Sequence, residues 1–503
     1  MKKNRNILNN IILVFIIFIA IGAVILPKPL NNLDELWNFN FALNVSEGRI
    51  PYRDFNIVST PLLSMVCGNI LKIVGQELIV TRILAIAIST AIMFIVYKIL
   101  QELKINKYYT YIILGIIYEI YKQFFCLDYN FSVLLIVLII IYLEIRRVNN
   151  TRNNIVNLNF KYDFFVGILA GTTILFKQST GIALAFIYIF YKLILVENKE
   201  DFKRWIKITF SRLLGSCVPI ILFIIYLLIN NAWENFLDYA VYGIKTFSNK
   251  LSYVNLLKYY GKHYNILSIL LPLTIIYAYF KSAIKEQKKK EDMYATILCA
   301  FCVASFVVVF PISDPMHFLV GALPAIILLV FLTYKPIKQL LQKKKLFIIE
   351  FMKILTKFIA ILTVIMCINP IYSYLTNCNK YKILKHFYYI PADATKKITV
   401  SKYVIEKEKE GTKVYILDAS ACIYMIPIDR YNKNYDMFLK GAIGSKGEEG
   451  QIENLEKEEN IEVLILNDNY MKNWQTPEKV IKHIQNNWKK TGEINIFDIY
   501  EKI

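Results

Sequence analysis

Asp34 and Glu35 stand side by side just beyond a first apolar run, Ile7 to Leu26, and open a polar stretch that carries Gly48-Arg49-Ile50-Pro51-Tyr52-Arg53-Asp54-Phe55. A carboxylate at the centre of a bilayer costs roughly 2.5–3.5 kcal/mol on insertion scales, so a pair at the mouth of a membrane helix needs a use. Two uses fit: a general base, or a ligand for a divalent cation. Adjacent residues on a helix point to different faces, so one acid acts directly and the other holds structure. The bland alternative is an acidic helix start in a solvated loop.

Other groups with chemical potential lie at ends of apolar runs: Arg82, Asp128, Lys177 with Gln178, and Asp314-Pro315-Met316-His317. Asp128 suits either a second carboxylate of the site or a cap for the helix that follows. Lys177 and Arg82 suit a phosphate, with Gln178 beside Lys177. Their alternatives are snorkelling to the interface and a plain interfacial anchor. His317 suits a metal, a phosphate or a transferred proton; otherwise Asp314 caps a helix and His317 lies at the interface. Asp34, Asp128 and His317 are the residues open to a divalent cation, and no other cofactor is indicated. The segment 230–263 mixes Trp233, Tyr239, Tyr242, Phe247, Tyr253, Tyr259 and Tyr260 with Lys245, Lys250 and His263. That mixture suits sugars and phosphates, and equally an interfacial aromatic belt.

These groups need a membrane scaffold. Hydrophobic residues make up 56% of the chain and mean hydropathy is +0.42, beyond the roughly 45–50% apolar content of soluble domains. The net charge of +20 does not point to nucleic acid, because the cations fall in short loops between apolar runs. Abundant Lys, Ile, Asn and Tyr suggest an AT-rich bacterial genome. A span needs about 20 apolar residues, which picks out about eleven: 7–27, 78–97, 108–126, 130–145, 163–176, 179–195, 208–229, 264–280, 293–311, 316–334 and 351–371. The basic N-terminus lacks a small-residue cleavage site, so 7–27 reads as a retained span. Cations concentrate on one side, as at Lys98, Lys104 and Lys107 or at Lys199, Lys203, Arg204 and Lys207. The N-terminus is then cytoplasmic and the tail extracytoplasmic, in a multi-pass cell-membrane protein.

Parity settles two segments. Pro61 to Val74 reads as a helix lying at the outer interface, since a crossing there would invert every later loop. The run 163–195 carries Lys177-Gln178 at its centre and reads as two short helices with that pair at the outer turn. Fourteen residues reach only about 21 Å, so the turn dips below the surface. Cys299 and Cys302 lie inside an apolar run and read as small hydrophobes; Cys378 and Cys422 are a possible disulfide.

The domain boundary falls after 377. Residues 1–377 form the transmembrane domain, with a first outer loop at 28–77. Residues 378–503 read as a small α/β domain: strands at Val414–Leu417, Val463–Leu466 and Ile494–Tyr500, helices at 395–410 and 448–459, and a helix opened by Pro477. Gly441 to Gly447 lacks the context of a phosphate loop. The fold class expected is thus an α-helical polytopic membrane protein with a C-terminal α/β extracytoplasmic domain.

Taken together, the chain resembles a C-type (GT-C) membrane glycosyltransferase of the kind related to protein O-mannosyltransferases and lipid A aminoarabinose transferases (glycosyltransferase family 39-like). The residues that carry the resemblance are Asp34-Glu35 with Gly48 to Phe55 and Thr60-Pro61-Leu62-Leu63; Gly75 with Arg82; the helix pair around Gly167, Gly171, Lys177, Gln178 and Gly181; and Asp314-Pro315-Met316-His317 with Pro324. The resemblance implies a polyprenyl-phosphate sugar donor, an extracytoplasmic active site, and an acid of the first loop, Asp34 or Glu35 and then Asp128, as base or metal ligand. Lys177, Arg82, His317 and Gln178 would hold the donor phosphate. The acceptor would be a glycan, lipid or protein of the cell envelope. A flippase of lipid-linked sugars would need charges near mid-membrane and repeated halves; the early acidic pair and folded tail count against a polysaccharide polymerase or ligase.

Overall fold

Apolar runs in lipid must satisfy their own backbone hydrogen bonds, and helices do so. The computed structural model describes residues 2–30, 32–57, 59–150, 159–246, 251–283, 289–343, 345–380, 394–418, 420–425, 443–467 and 477–502. Its helices are α1 (Lys2–Ile25), α2 (Leu33–Ser46), α3 (Leu62–Val74), α4 (Leu78–Glu102), α5 (Lys107–Tyr121), α6 (Tyr129–Asn150), α7 (Phe160–Phe176), α8 (Gln178–Phe190), α9 (Lys199–Ile229), the short α10 (Trp233–Phe236) and α11 (Val254–Lys258), α12 (Lys262–Ala283), α13 (Lys290–Phe306), α14 (Pro315–Lys343) and α15 (Lys345–Lys380). Among the described residues, eight helices are long and apolar enough to cross a membrane: Ile7–Ile25, Leu78–Glu102, Gln178–Leu195, Lys199–Ile229, Lys262–Ser282, Lys290–Val309, Pro315–Gln339 and Phe347–Thr376. The other expected spans, 108–126, 130–145 and 163–176, fold as α5, α6 and α7 but fall outside that set. At 15 and 17 residues, α5 and α7 are shorter than the roughly 20 a perpendicular crossing needs.

The chain divides into two compact units. The first comprises Met1–Leu26, Ile83–Phe223 and Lys250–Ile371. Its centre is α13 and α14, with 72% of each apolar window buried. The expected break at Lys177 is present: α7 and α8 form a tight hairpin with Lys177 in extended backbone between them (φ −153°, ψ 114°). Gly181 makes the hairpin possible, because a Cβ there would lie 2.4 Å from the Ile174 backbone.

The second unit comprises Pro27–Arg82, Ile224–Asn249 and Tyr372–Ile503. Here α3, the helix expected at the interface, packs along α2. Tyr52 donates from its hydroxyl to the Ser59 carbonyl (2.7 Å) and meets Phe236 edge-on at 5.3 Å, so the first loop packs on the 230–236 segment.

In the tail, α16 (Ala394–Lys409), α17 (Cys422–Met425), α18 (Gly447–Lys457) and α19 (Glu478–Asn487) accompany a four-stranded sheet of order β1-β2-β4-β3. The parallel pair β1 (Lys413–Leu417) and β2 (Ile461–Leu466) matches the expected strands. The single strand expected at Ile494–Tyr500 is a hairpin, β3 (Lys489–Ile494) and β4 (Phe497–Glu501). Asn495 turns the chain with φ 52°, and β3 is a lysine-rich edge strand without apolar alternation, a common way to protect a sheet edge. The expected pairing of Cys378 with Cys422 turns on the Cys378 side chain, which lies outside the described residues, as does the structure at Phe247 and Lys250.

The tail is joined to the 224–249 segment within this unit. Asp238 Oδ1 accepts the Ser445 N–H at 3.0 Å, and the Thr246 hydroxyl donates to the Gly444 carbonyl at 3.2 Å. Gly444 has φ +76°, and a Cβ there would sit 2.6 Å from Asp238 Oδ2, so this clasp accepts only glycine without strain. From the other side, α17 packs on α2.

Candidate functional site

In the second unit, Asn32 caps α2 by accepting the Glu35 N–H on Oδ1 (3.0 Å). Asp34 and Glu35 occupy the first turn, where the helix dipole favours negative charge. Their side chains part. Glu35 turns into the core and accepts two hydrogen bonds from Arg82, from Nε at 2.8 Å and Nη2 at 3.0 Å. The side chains are only 6% and 3% exposed. Arg82 is therefore engaged by a carboxylate, and a phosphate role for it would require opening a buried bidentate pair. Asp34 stays half-exposed, and its carbonyl accepts from Asn38 Nδ2 at 2.8 Å.

In the first unit, three of the predicted residues come together. Asp128 caps α6: Oδ1 accepts the Asn130 N–H at 2.7 Å. The residue is 1% exposed, yet Oδ2 has no hydrogen-bond partner among the described residues. Burial pushes its carboxyl pKa up, against the opposing pull of Lys177, the Asn130 N–H and His317. Lys177 Nζ donates to Asn130 Oδ1 at 2.8 Å and lies 5.3 Å from the centre of the Tyr129 ring. Gln178 opens α8 directly after it. His317, in the first turn of α14, is held by Asp314: the His317 N–H donates to Oδ1 at 2.8 Å, and Nδ1 meets Oδ2 at 2.9 Å. Burial raises the Asp314 pKa, but its bonds and attraction to His317 outweigh that and hold it below its ordinary value. The two carboxylates are thus pushed in opposite directions, the pattern that separates a proton holder from a fixed anion.

Asp128 and Asp314 both cap helices, as the plainer reading allowed, and Asp128 keeps one oxygen in reserve. Among the described residues, no group of three or more His, Cys, Asp or Glu side chains is arranged to hold a metal ion. The residues open to a divalent cation divide between the units, Asp34 in the second and Asp128 and His317 in the first.

Sequence reasoning missed a second polar centre in the first unit. Asp163 accepts from Arg147 Nη1 and Nη2 (2.8 and 3.1 Å) and from Arg212 Nε (3.0 Å). Glu144 pairs with Lys192 (3.2 Å) and Arg212 (3.5 Å) and accepts a short bond from the Tyr191 hydroxyl. Arg212 also stacks on the Tyr188 ring, 4.2 Å from its centre. The network ties α6, α7, α8 and α9 together, and its only signal in the sequence was acids set inside or beside apolar runs. Removing one member of a buried ion pair costs about 3–5 kcal/mol. Arg212→Met is expected to lose about that much stability, read as a lowered thermal midpoint in detergent, whereas Lys203→Met on the exposed start of α9 should leave the midpoint unchanged.

No protein-family model and no curated protein matches the chain. Solved structures do. It is similar to ArnT from Cupriavidus metallidurans bound to undecaprenyl phosphate, at 11% identity over 97% of each chain and a TM-score of 0.52. It is also similar to the oligosaccharyltransferase AglB from Archaeoglobus fulgidus in complex with an inhibitory peptide and a dolichol-phosphate. That match has 12% identity over 98% of this chain and 74% of AglB, with a TM-score of 0.52. At such identity the likeness is one of fold. The chain is a polytopic helical membrane protein of the GT-C-like fold, with a small C-terminal α/β domain.

Proposed function

We propose that this protein is a membrane glycosyltransferase that moves a sugar from a polyprenyl-phosphate donor to an extracytoplasmic glycan, lipid or protein of the cell envelope. The observation that carries the reading is the group around Lys177: a cation placed by a break between two helices, next to a buried carboxylate with an unused oxygen, and near His317. The fold shared with two proteins solved with polyprenyl-type phosphates supports it.

Lys177, with His317 and Gln178, holds the donor phosphate. Asp34 takes the proton from the acceptor hydroxyl. The acceptor oxygen then bonds to the anomeric carbon, the bond from that carbon to the phosphate oxygen breaks, and the electron pair leaves with the polyprenyl phosphate. Fixed cations lower the cost of the charge that develops on the leaving phosphate. Asp128 keeps Lys177 oriented before the donor arrives. Glu35 and Arg82 hold the start of α2, and with it Asp34. The tail, clasped by Asp238 and seated on α2, guides the acceptor and does no chemistry.

The test is the lipid the purified protein carries. Mass spectrometry of its lipid extract should find polyprenyl phosphate or its sugar ester above the level in an unrelated membrane protein from the same cells. Equal levels in the two would count against the reading. The proposed orientation puts the tail outside, so a membrane-impermeant thiol reagent on intact cells should modify Lys479→Cys but not Lys203→Cys in a background without other cysteines. The reverse pattern would invert the orientation.

A further inference from the structure

Phe160 at the start of α7 and Ile206, Lys207 and Phe210 on α9 line a groove of about 440 Å³. All four residues are exposed. The lining is hydrocarbon: two phenyl rings, an isoleucine and the stem of Lys207, whose ammonium is free to reach the rim. Lys199, Lys203 and Lys207 recur every four residues on α9 and so share one face. Lys203 is partly engaged by Glu200 at 3.2 Å in an exposed pair, the kind worth little. Lys207 makes no ion pair among the described residues. The wall of the groove is continuous with the buried network: the Ser211 hydroxyl donates to the Phe160 carbonyl at 2.7 Å, and among the described residues neighbouring Arg212 joins Arg147 and Lys192 against Glu144 and Asp163. That leaves the network a formal excess of one positive charge.

We propose that this groove binds an anionic phospholipid, with an acyl chain against Phe160, Ile206 and Phe210 and the phosphate at Lys207 and Lys203. A basic helix start beside an apolar slot is the chemistry such a headgroup and tail require. The polyprenyl donor is the wrong occupant. Its phosphate is assigned to Lys177, at the far end of α7, and the 17 residues of that helix span about 25 Å at 1.5 Å per residue.

Native mass spectrometry of the full chain in mild detergent tests this with equal concentrations of phosphatidylglycerol and phosphatidylcholine. The wild type is expected to retain one phosphatidylglycerol in preference. The double variant Lys203→Gln/Lys207→Gln should lose that preference by about thirtyfold, the effect of two cations near an anionic lipid, with its thermal midpoint unchanged. Phe210→Ser should weaken retention of both lipids. Equal retention of the two lipids by the wild type would overturn the proposal, as would full phosphatidylglycerol retention by the double variant. Displacement of the phosphatidylglycerol by equimolar polyprenyl phosphate would also overturn it, by giving the groove to the donor.

Discussion

Asp34→Asn is expected to abolish sugar transfer while the protein stays folded, and Glu35→Gln to fail in the opposite way. Asparagine keeps the size and polarity of Asp34 at a half-exposed position, so little stability is at stake. What it removes is the proposed base, and general-base assistance is worth about 10²–10⁴ in rate. Glu35 is different because its carboxylate is the partner of buried Arg82. Glutamine leaves that guanidinium without a counter-charge, at a cost of about 3–5 kcal/mol, so Glu35→Gln should unfold at markedly lower temperature. Turnover and thermal midpoints of the two variants, measured side by side, check the division. Wild-type turnover in Asp34→Asn would take the first loop out of the chemistry.

Lys177→Met is expected to weaken donor binding by about 2–5 kcal/mol, the loss typical of a desolvated charge pair, with little change in acceptor affinity. The lysine is held by Asn130 Oδ1 at 2.8 Å and by the face of Tyr129. Neither of these two contacts is an ion pair, and burial pushes the nearby Asp128 carboxyl toward its neutral form, so a bound phosphate adds counter-charge that the lysine would lose with methionine. Lys177→Arg should recover only part of the affinity, because a planar fork does not reproduce a point charge. Donor-lipid affinity at fixed acceptor is the measurement. Unchanged affinity in Lys177→Met would return this residue to the role of an interfacial anchor.

How much of this was legible depends on the range of the interaction. The membrane helices and the break at Lys177 were readable because hydropathy and a lysine in the middle of an apolar run are local signals. The same holds for β1 and β2, short apolar runs between charged helices. The β3–β4 hairpin was not, since an edge strand of Lys489-Lys490-Thr491-Gly492-Glu493 has no buried face to alternate. The partner of Glu35 was hidden for another reason. Arg82 lies 47 residues away, and each residue read separately suggested a different role. The Glu144–Asp163–Arg212 network was invisible on both counts: Arg212 bonds Asp163 across 49 residues, and hydropathy averaging absorbed its charges into the spans. Asp128 reads from sequence as either cap or functional carboxylate; only the fold shows that one oxygen caps while the other has no hydrogen-bond partner among the described residues.

The central claim is that a sugar leaves a polyprenyl phosphate on this protein by a reaction that needs the Asp34 carboxylate. Purified wild type and Asp34→Asn, each reconstituted in liposomes with a radiolabelled polyprenyl-phosphate sugar and a cell-envelope extract as acceptor, decide it. Polyprenyl phosphate released by the wild type in step with labelled acceptor, and not by Asp34→Asn, is the predicted result. Intact donor carried across the bilayer without any release of polyprenyl phosphate would contradict it and make the protein a transporter.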